Sequence, residues 1–117
     1  MHEMGICQGI LDASIEAAEK QDATHINEIR VSVGELTEIV EYALQFAFDT
    51  LSEGTLAEGG KLVVNIIKPA SRCVQCGTEF EHGVFDAQCP ECGNPFNDTI
   101  RGRELHIDSI DVETPEE

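Results

Sequence analysis

Tryptophan is absent from this chain of 117 residues, tyrosine occurs once and phenylalanine five times. A core must therefore come mainly from Ile, Val, Leu and Ala. Basic residues are equally scarce: 7 Lys and Arg stand against 23 Asp and Glu, for a formal net charge of −16. Affinity for DNA or RNA comes largely from cationic side chains neutralising phosphates, so this balance argues against nucleic acid as a partner. An anionic membrane surface is disfavoured for the same reason. Metal cations and basic protein surfaces are the favoured partners. No apolar run approaches the ~18–20 residues of a membrane-spanning helix. No basic start leads into an apolar run, as a signal peptide would require. The expected location is the cytoplasm.

Catalytic constellations are missing as well. Ser14, Ser32, Ser52, Ser71 and Ser109 have no adjacent His-acid pattern, and no phosphate-binding Gly-x-x-x-x-Gly-Lys loop occurs. The chain is not expected to be an enzyme.

What is present alternates between two periodicities. Met4, Cys7, Ile10, Leu11, Ser14, Ala17 and Ala18 recur with helical spacing over residues 4 to about 21. Ile29, Val31 and Val33 alternate with polar neighbours, predicting a half-buried strand that ends at Gly34. A second helix is expected from Thr37, as N-cap, to about residue 52, with Glu38 and Glu41 complementing its dipole. Residues 61–68 read as a more fully buried strand stopped by Pro69. A last strand spans 104–113; Leu105 and Ile107 share one parity, Ile110 and Val112 the other, which predicts a bulge near Asp108 and Ser109. The expected class is α+β: a small three-stranded sheet with two helices, plus an inserted zinc-ribbon lobe. The expected division is 1–69 with 100–117 for the α/β lobe, and 70–99 for the zinc lobe.

The inserted segment carries the most specific local signal. Cys73-Val74-Gln75-Cys76-Gly77 and Cys89-Pro90-Glu91-Cys92-Gly93 are matched knuckles separated by twelve residues. Two residues between thiolates let both sulfurs face one ion, and a following Gly lets the backbone turn. Two such knuckles complete a tetrahedral four-sulfur site, the closed geometry of structural zinc. Iron fits the same geometry, but a lone site of this kind in a small lobe favours zinc as a staple. A disulfide framework fits a reducing cytosol poorly.

The chain begins Met1-His2-Glu3. Bulky His2 favours retention of Met1 with a free amine. That amine, the His2 backbone nitrogen and the His2 imidazole lie on consecutive chelate rings. The Glu3 amide or its carboxylate offers a fourth donor. A planar nitrogen and oxygen set suits Ni(II) or Cu(II) better than zinc. From spacing alone, a merely solvated terminus is the favoured reading.

These features together resemble the HypA/HybF family of hydrogenase nickel-incorporation proteins. The resemblance rests on Met1-His2-Glu3 opening an amphipathic helix with Cys7 on its stripe, Phe46-Ala47-Phe48-Asp49, Ala57-Glu58-Gly59-Gly60-Lys61-Leu62, both cysteine knuckles and Glu104-Leu105-His106-Ile107. It spans essentially the whole chain. It implies that His2 is the key nickel ligand, with the Met1 amine and Glu3 assisting. It also implies that Cys73, Cys76, Cys89 and Cys92 hold a structural zinc. The implied function is a nickel metallochaperone for [NiFe] hydrogenase maturation, with a HypB-type GTPase and the hydrogenase large-subunit precursor as partners. Supply of a urease pathway and a homodimeric state are left open. The alternative is a zinc-ribbon adaptor that recruits partners without carrying nickel.

Other metal-capable side chains have plainer readings. Cys7 lies on an apolar stripe and reads as core. His25 reads as a surface turn residue, His82 as a group beside the zinc cage or exposed, and His106 as partly exposed. Either His82 or His106 could lend an auxiliary nickel donor.

Overall fold

Helix α1, Glu3–Glu19, forms where the sequence pattern places a 3.6-residue stripe. Its buried side is Glu3, Cys7, Ile10, Leu11, Ser14 and Ala18, while Met4 and Ala17 of the expected stripe are exposed. The computed structural model describes residues 2–115. After α1 come β1 (His25–Gly34), a short 3-10 turn (Glu35–Thr37), α2 (Glu41–Leu51), β2 (Lys61–Ile67), β3 (Ala70–Cys73), β4 (Glu79–Glu81), β5 (Asn97–Arg101) and β6 (Leu105–Glu113). One three-stranded sheet has the order β2-β1-β6 and a second the order β4-β3-β5. The α+β architecture with two helices and a small inserted lobe is as expected.

The described residues divide into two compact units, one drawn from Met1–Ser32, Ile39–Asn65 and His106–Glu117, the other from Val33–Glu38 and Ile66–Leu105. In the first unit α1 packs on α2. Its core is Cys7 and Leu11 from α1, Ile26, Ile29 and Val31 from β1, and Leu44 and Phe48 from α2, all at most 2% exposed. Aliphatic residues supply most of this core and Phe48 is its sole aromatic, as the composition anticipates.

Three local expectations are corrected. The apolar strand at 61–68 is not the more fully buried one: in β2 only Leu62 is buried, and Ile66 is 39% exposed. The central place in the sheet belongs to β1, while β2 lies at an edge, and sheet order is a non-local property that a local apolar run does not reveal. Thr37 does not cap α2. Its hydroxyl donates to the Gly34 carbonyl at 2.7 Å, closing the 3-10 turn, and Glu38 follows in the left-handed region at φ 63. The α-helix begins only at Glu41, so Glu38 stands outside it and Glu41 is its first-turn acid. His25 is not a turn residue but the first residue of β1, half-buried. In β6 the half-buried residues are Ile107, Ile110 and Val112, so burial changes parity between Ile107 and Ile110.

The second unit is built around β3, which pairs antiparallel with β4 (Ser71 opposite Phe80) and with β5 (Cys73 opposite Asn97). Within this unit the turn joining β5 to β6 presses on the 3-10 turn: Gly102 O accepts the Leu36 N–H and Glu104 O accepts the Gly34 N–H, each at 2.8 Å. A Cβ on Gly34 would collide with the Gly102 carbonyl, and Gly102 itself sits at φ 118. Only glycine fits either place.

Candidate metal centre

The two cysteine knuckles are near copies in their backbones. Gly77 N–H donates to Cys73 O at 3.0 Å and Gly93 N–H to Cys89 O at 2.8 Å. Both glycines lie at φ 77, which lets each loop reverse behind its second cysteine. The amides this turning frees point at sulfur: Gln75 and Cys76 N–H lie 3.4 Å from Cys73 Sγ, and Glu91 N–H lies 3.4 Å from Cys89 Sγ. Knuckle one leads out of β3, and Asn94, just beyond knuckle two, aims its Nδ2 at Cys73 Sγ from 3.8 Å. Asn97 fixes the loop between them by donating to Ala87 O at 2.6 Å and to Asn94 O at 2.9 Å.

Cys73, Cys76, Cys89 and Cys92 thus converge, with their sulfurs all within 4.8 Å of one another. Across the knuckles, Cys73 and Cys92 are 3.5 Å apart and Cys76 and Cys89 3.6 Å. A tetrahedral ion with metal–sulfur bonds of 2.3 Å needs sulfurs about 3.8 Å apart, so the cage has the right size and donor set. None of the four is in a disulfide. Their acidities point the same way. The Cys76 N–H, with further help from Gln75 N–H, draws the Cys73 thiol down to about 6. Hydrogen bonds from Thr78 lower Cys76. Cys92 rises to about 12, because crowding by the Cys73, Cys89 and Cys76 sulfurs and burial together outweigh the lowering by Asn94 N–H. Four sulfurs this close cannot all ionise without a counter-charge, and a divalent cation would supply it.

At the other end of the sequence, His2 occupies the cap position of α1. Its carbonyl starts the helix by accepting Ile6 N–H at 2.9 Å, and its imidazole makes no capping bond. The side chain is exposed. Beside it, His2, Glu3, Met4 and Gly5 face Ala43 and Phe46 of α2 across an open groove of about 450 Å³. Glu3 is turned inward at 8% exposure, and its Oε2 accepts the Val40 N–H at 2.8 Å. That bond to Val40 is the first cause of a carboxyl held down to about 2. Met1 lies outside the described residues.

Cys7 is fully buried, and desolvation pushes its thiol up to about 11; it is core, as its stripe position suggested. His82 is engaged twice. Its Nδ1–H donates to Gly83 O at 2.6 Å, and its Nε2 lies 2.7 Å from the buried Ser71 hydroxyl. In the neutral ring Nε2 is then the acceptor of that hydroxyl. His106 Nε2 is 3.6 Å from Asp108 Oδ1. Sequence reading missed the capping role of Glu3 and the sulfur-directed amide of Asn94. The second had a signal in Cys92-Gly93-Asn94, an amide placed just after a knuckle. The first depends on which helix start comes to lie beside α1.

An α+β chain whose four cysteines converge in one of its two units has the donor set of a small metal-binding protein. A family model described as hydrogenase/urease nickel incorporation, metallochaperone, hypA matches residues 1–112. A hydrogenase maturation factor HypA from Caldanaerobacter subterraneus is 42% identical over 114 residues, covering 97% of this chain and all of that protein. One from Methanocaldococcus jannaschii is 35% identical, covering 97% and 98% respectively. The solution structure of the Ni metallochaperone HypA from Helicobacter pylori superposes with a TM-score of 0.68 at 23% identity, over 98% of this chain and 100% of that one. The chain belongs to the HypA family of nickel-incorporation metallochaperones for hydrogenase maturation.

Proposed function

We propose that this chain captures Ni(II) at its N-terminus and delivers it to a [NiFe] hydrogenase large-subunit precursor, while a zinc ion stays in the cysteine cage. Nickel is cargo, bound by the Met1 amine, the His2 backbone nitrogen, the His2 imidazole and a fourth donor from Glu3. The observation that supports this most is the His2 imidazole, exposed at a helix start and spent on no cap, beside an open groove. Because the Glu3 carboxylate is engaged by Val40, the Glu3 amide is the better fourth donor. A site made of few ligands at a chain end favours release as well as capture.

The cysteine cage has the opposite character. Its four donors close the coordination sphere and leave no open position for a substrate. Zinc there supplies charge neutralisation and a fixed cross-link between the two knuckles. With no nucleotide-binding loop of its own, the chain relies on a HypB-type GTPase to power transfer, as the family resemblance implies.

Calorimetry with Ni(II) on protein carrying its native first residue tests the cargo site. His2→Ala is expected to weaken binding by at least about 100-fold, the upper end of what losing even a supporting partner costs a metal site. Equal affinity in the two proteins would sink the site as drawn. Elemental analysis of protein purified without chelator is expected to give one zinc per chain.

A further inference from the structure

Aromatic side chains are few here, and most of them are not used for packing. Of the six, Tyr42 is 81% exposed, Phe46 62%, Phe85 97% and Phe96 75%. Exposed aromatics in a chain with so few are candidates for binding anchors, since burial of Tyr or Phe by a partner dominates many interfaces. Tyr42 and Phe46 stand four residues apart on α2 and so share one face, which Asp49 continues three residues further on. Phe46 also lines the groove at His2, and Met4, 49% exposed, lies on the groove's other side.

Charge selects what could cover this face. Neither α1 nor α2 contains a Lys or Arg, and their exposed charges are all carboxylates. Asp49 lies in the last turn of α2, which has no basic residue. A negative charge there opposes the helix dipole and is locally unfavourable. A cation arriving from outside would relieve it. A second copy of this chain, at −16, would bring mostly like charge instead.

We propose that the α2 face formed by Tyr42, Phe46 and Asp49, continuous with the groove at His2, docks a basic amphipathic helix of the protein that exchanges nickel with this chain. The proposal rests on the nickel reading above and adds the partner's chemistry to it. Apolar side chains of that helix cover Tyr42 and Phe46, a Lys or Arg residue reaches Asp49, and the docked protein is brought beside the imidazole that holds the cargo.

The test uses Tyr42→Ala/Asp49→Lys in the full chain, with the cognate GTPase and the large-subunit precursor as separate probes. Affinity for at least one probe is expected to fall by about 30-fold or more, the scale of interface hot spots. The parent's binding should weaken as salt rises, and the variant's should do so less. Nickel affinity, read by calorimetry, should stay within about twofold, because neither residue lines the groove. Asp49→Lys alone should not lower thermal stability, since a cation suits that helix end; this separates lost docking from lost folding. Unchanged affinity for both probes overturns the proposal, and so does failure of the parent to bind either. A parent dimer that the double variant dissociates would also overturn it, by assigning the face to a second copy. Loss of nickel binding in the parent would sink the cargo reading while leaving the docking result standing.

Discussion

The carboxylate of Glu3 accepts the backbone N–H of Val40 at 2.8 Å, so the segment that opens α1 also closes the start of α2. Helix α2 has no side-chain cap of its own at Val40. A residue 37 positions away does the work that a neighbouring Ser, Thr or Asp usually does. The second residue of the chain is thereby held next to a fixed point.

Glu3→Gln and Glu3→Ala separate charge from contact. Glutamine keeps an acceptor for Val40 N–H and alanine removes it, so Glu3→Ala should lower the melting temperature more. The Glu3 carboxyl is held down to about 2, with the Val40 N–H as first cause. A depressed folded-state pKa stabilises above the ordinary value near ~4.3, and that contribution disappears as pH falls toward 2. Acid unfolding followed by circular dichroism should be less steep for Glu3→Gln than for the parent across that window. Superimposable curves would refute the assignment. If the Glu3 amide rather than the carboxylate meets nickel, Glu3→Gln also keeps most of the nickel affinity that His2→Ala loses.

His25 gives a pH dependence of opposite sign. Its Nε2 lies 2.7 Å from the Glu58 carbonyl and its Nδ1 2.9 Å from Asn27 Oδ1, whose own amide donates to Asp111. Both neighbours accept, so the ring serves them best as a doubly donating imidazolium. Its pKa is raised, first by Glu58 O, then by Asn27. The stability this contributes is complete below the unfolded value of ~6.5 and is lost as pH rises through the folded value. Thermal denaturation between about pH 6 and 8 should show the parent losing more stability than His25→Gln. A parallel pair of curves would show that the ring is not charged.

Removing the cage metal should unravel one unit and spare the other. Among the described residues, the buried side chains of the second unit are Val33, Pro69, Ala70, Ser71, Cys73 and Cys89, too little apolar surface to order a lobe unaided. Chelation, or Cys76→Ser, is expected to abolish hydrogen-exchange protection in β3, β4 and β5. The helical circular-dichroism signal, which comes from α1 and α2, should persist. Retained protection in β3 after complete metal loss would contradict this.

Ser14 is a misfit of another kind. Its hydroxyl is buried on the α1 stripe and has no hydrogen-bond partner among the described residues. An unsatisfied buried hydroxyl costs about 1–3 kcal/mol, and alanine suits a helix better. Ser14→Ala should raise stability by about 1 kcal/mol in urea unfolding; a loss would reveal a partner for the hydroxyl.

Much of this was legible in the sequence where the physics is local. The α1 stripe, the paired knuckles with their glycines and the family resemblance depend on spacing within a few residues or on their order along the chain. The misreadings concern residues whose role is fixed by distant partners. Thr37 looked like a cap because Ser and Thr commonly are, but its hydroxyl closes a 3-10 turn on Gly34, and the capping carboxylate comes from Glu3. The apolar run at 61–68 looked buried because hydrophobicity does not encode sheet order, which gave the centre to β1. His25 looked like a turn residue because nothing near it in sequence announces the Glu58 carbonyl.

Cys7 is fully buried and its thiol is raised to about 11, so a water-borne alkylating reagent meets almost no thiolate there. Every other cysteine belongs to the cage. Thiol titration of the native protein is therefore an occupancy gauge with a quiet background. A filled cage should read close to zero. An emptied one, its lobe unravelled and Cys92 released from the crowding of its neighbours, should read close to four, and intermediate readings give the fraction of chains carrying the resident ion.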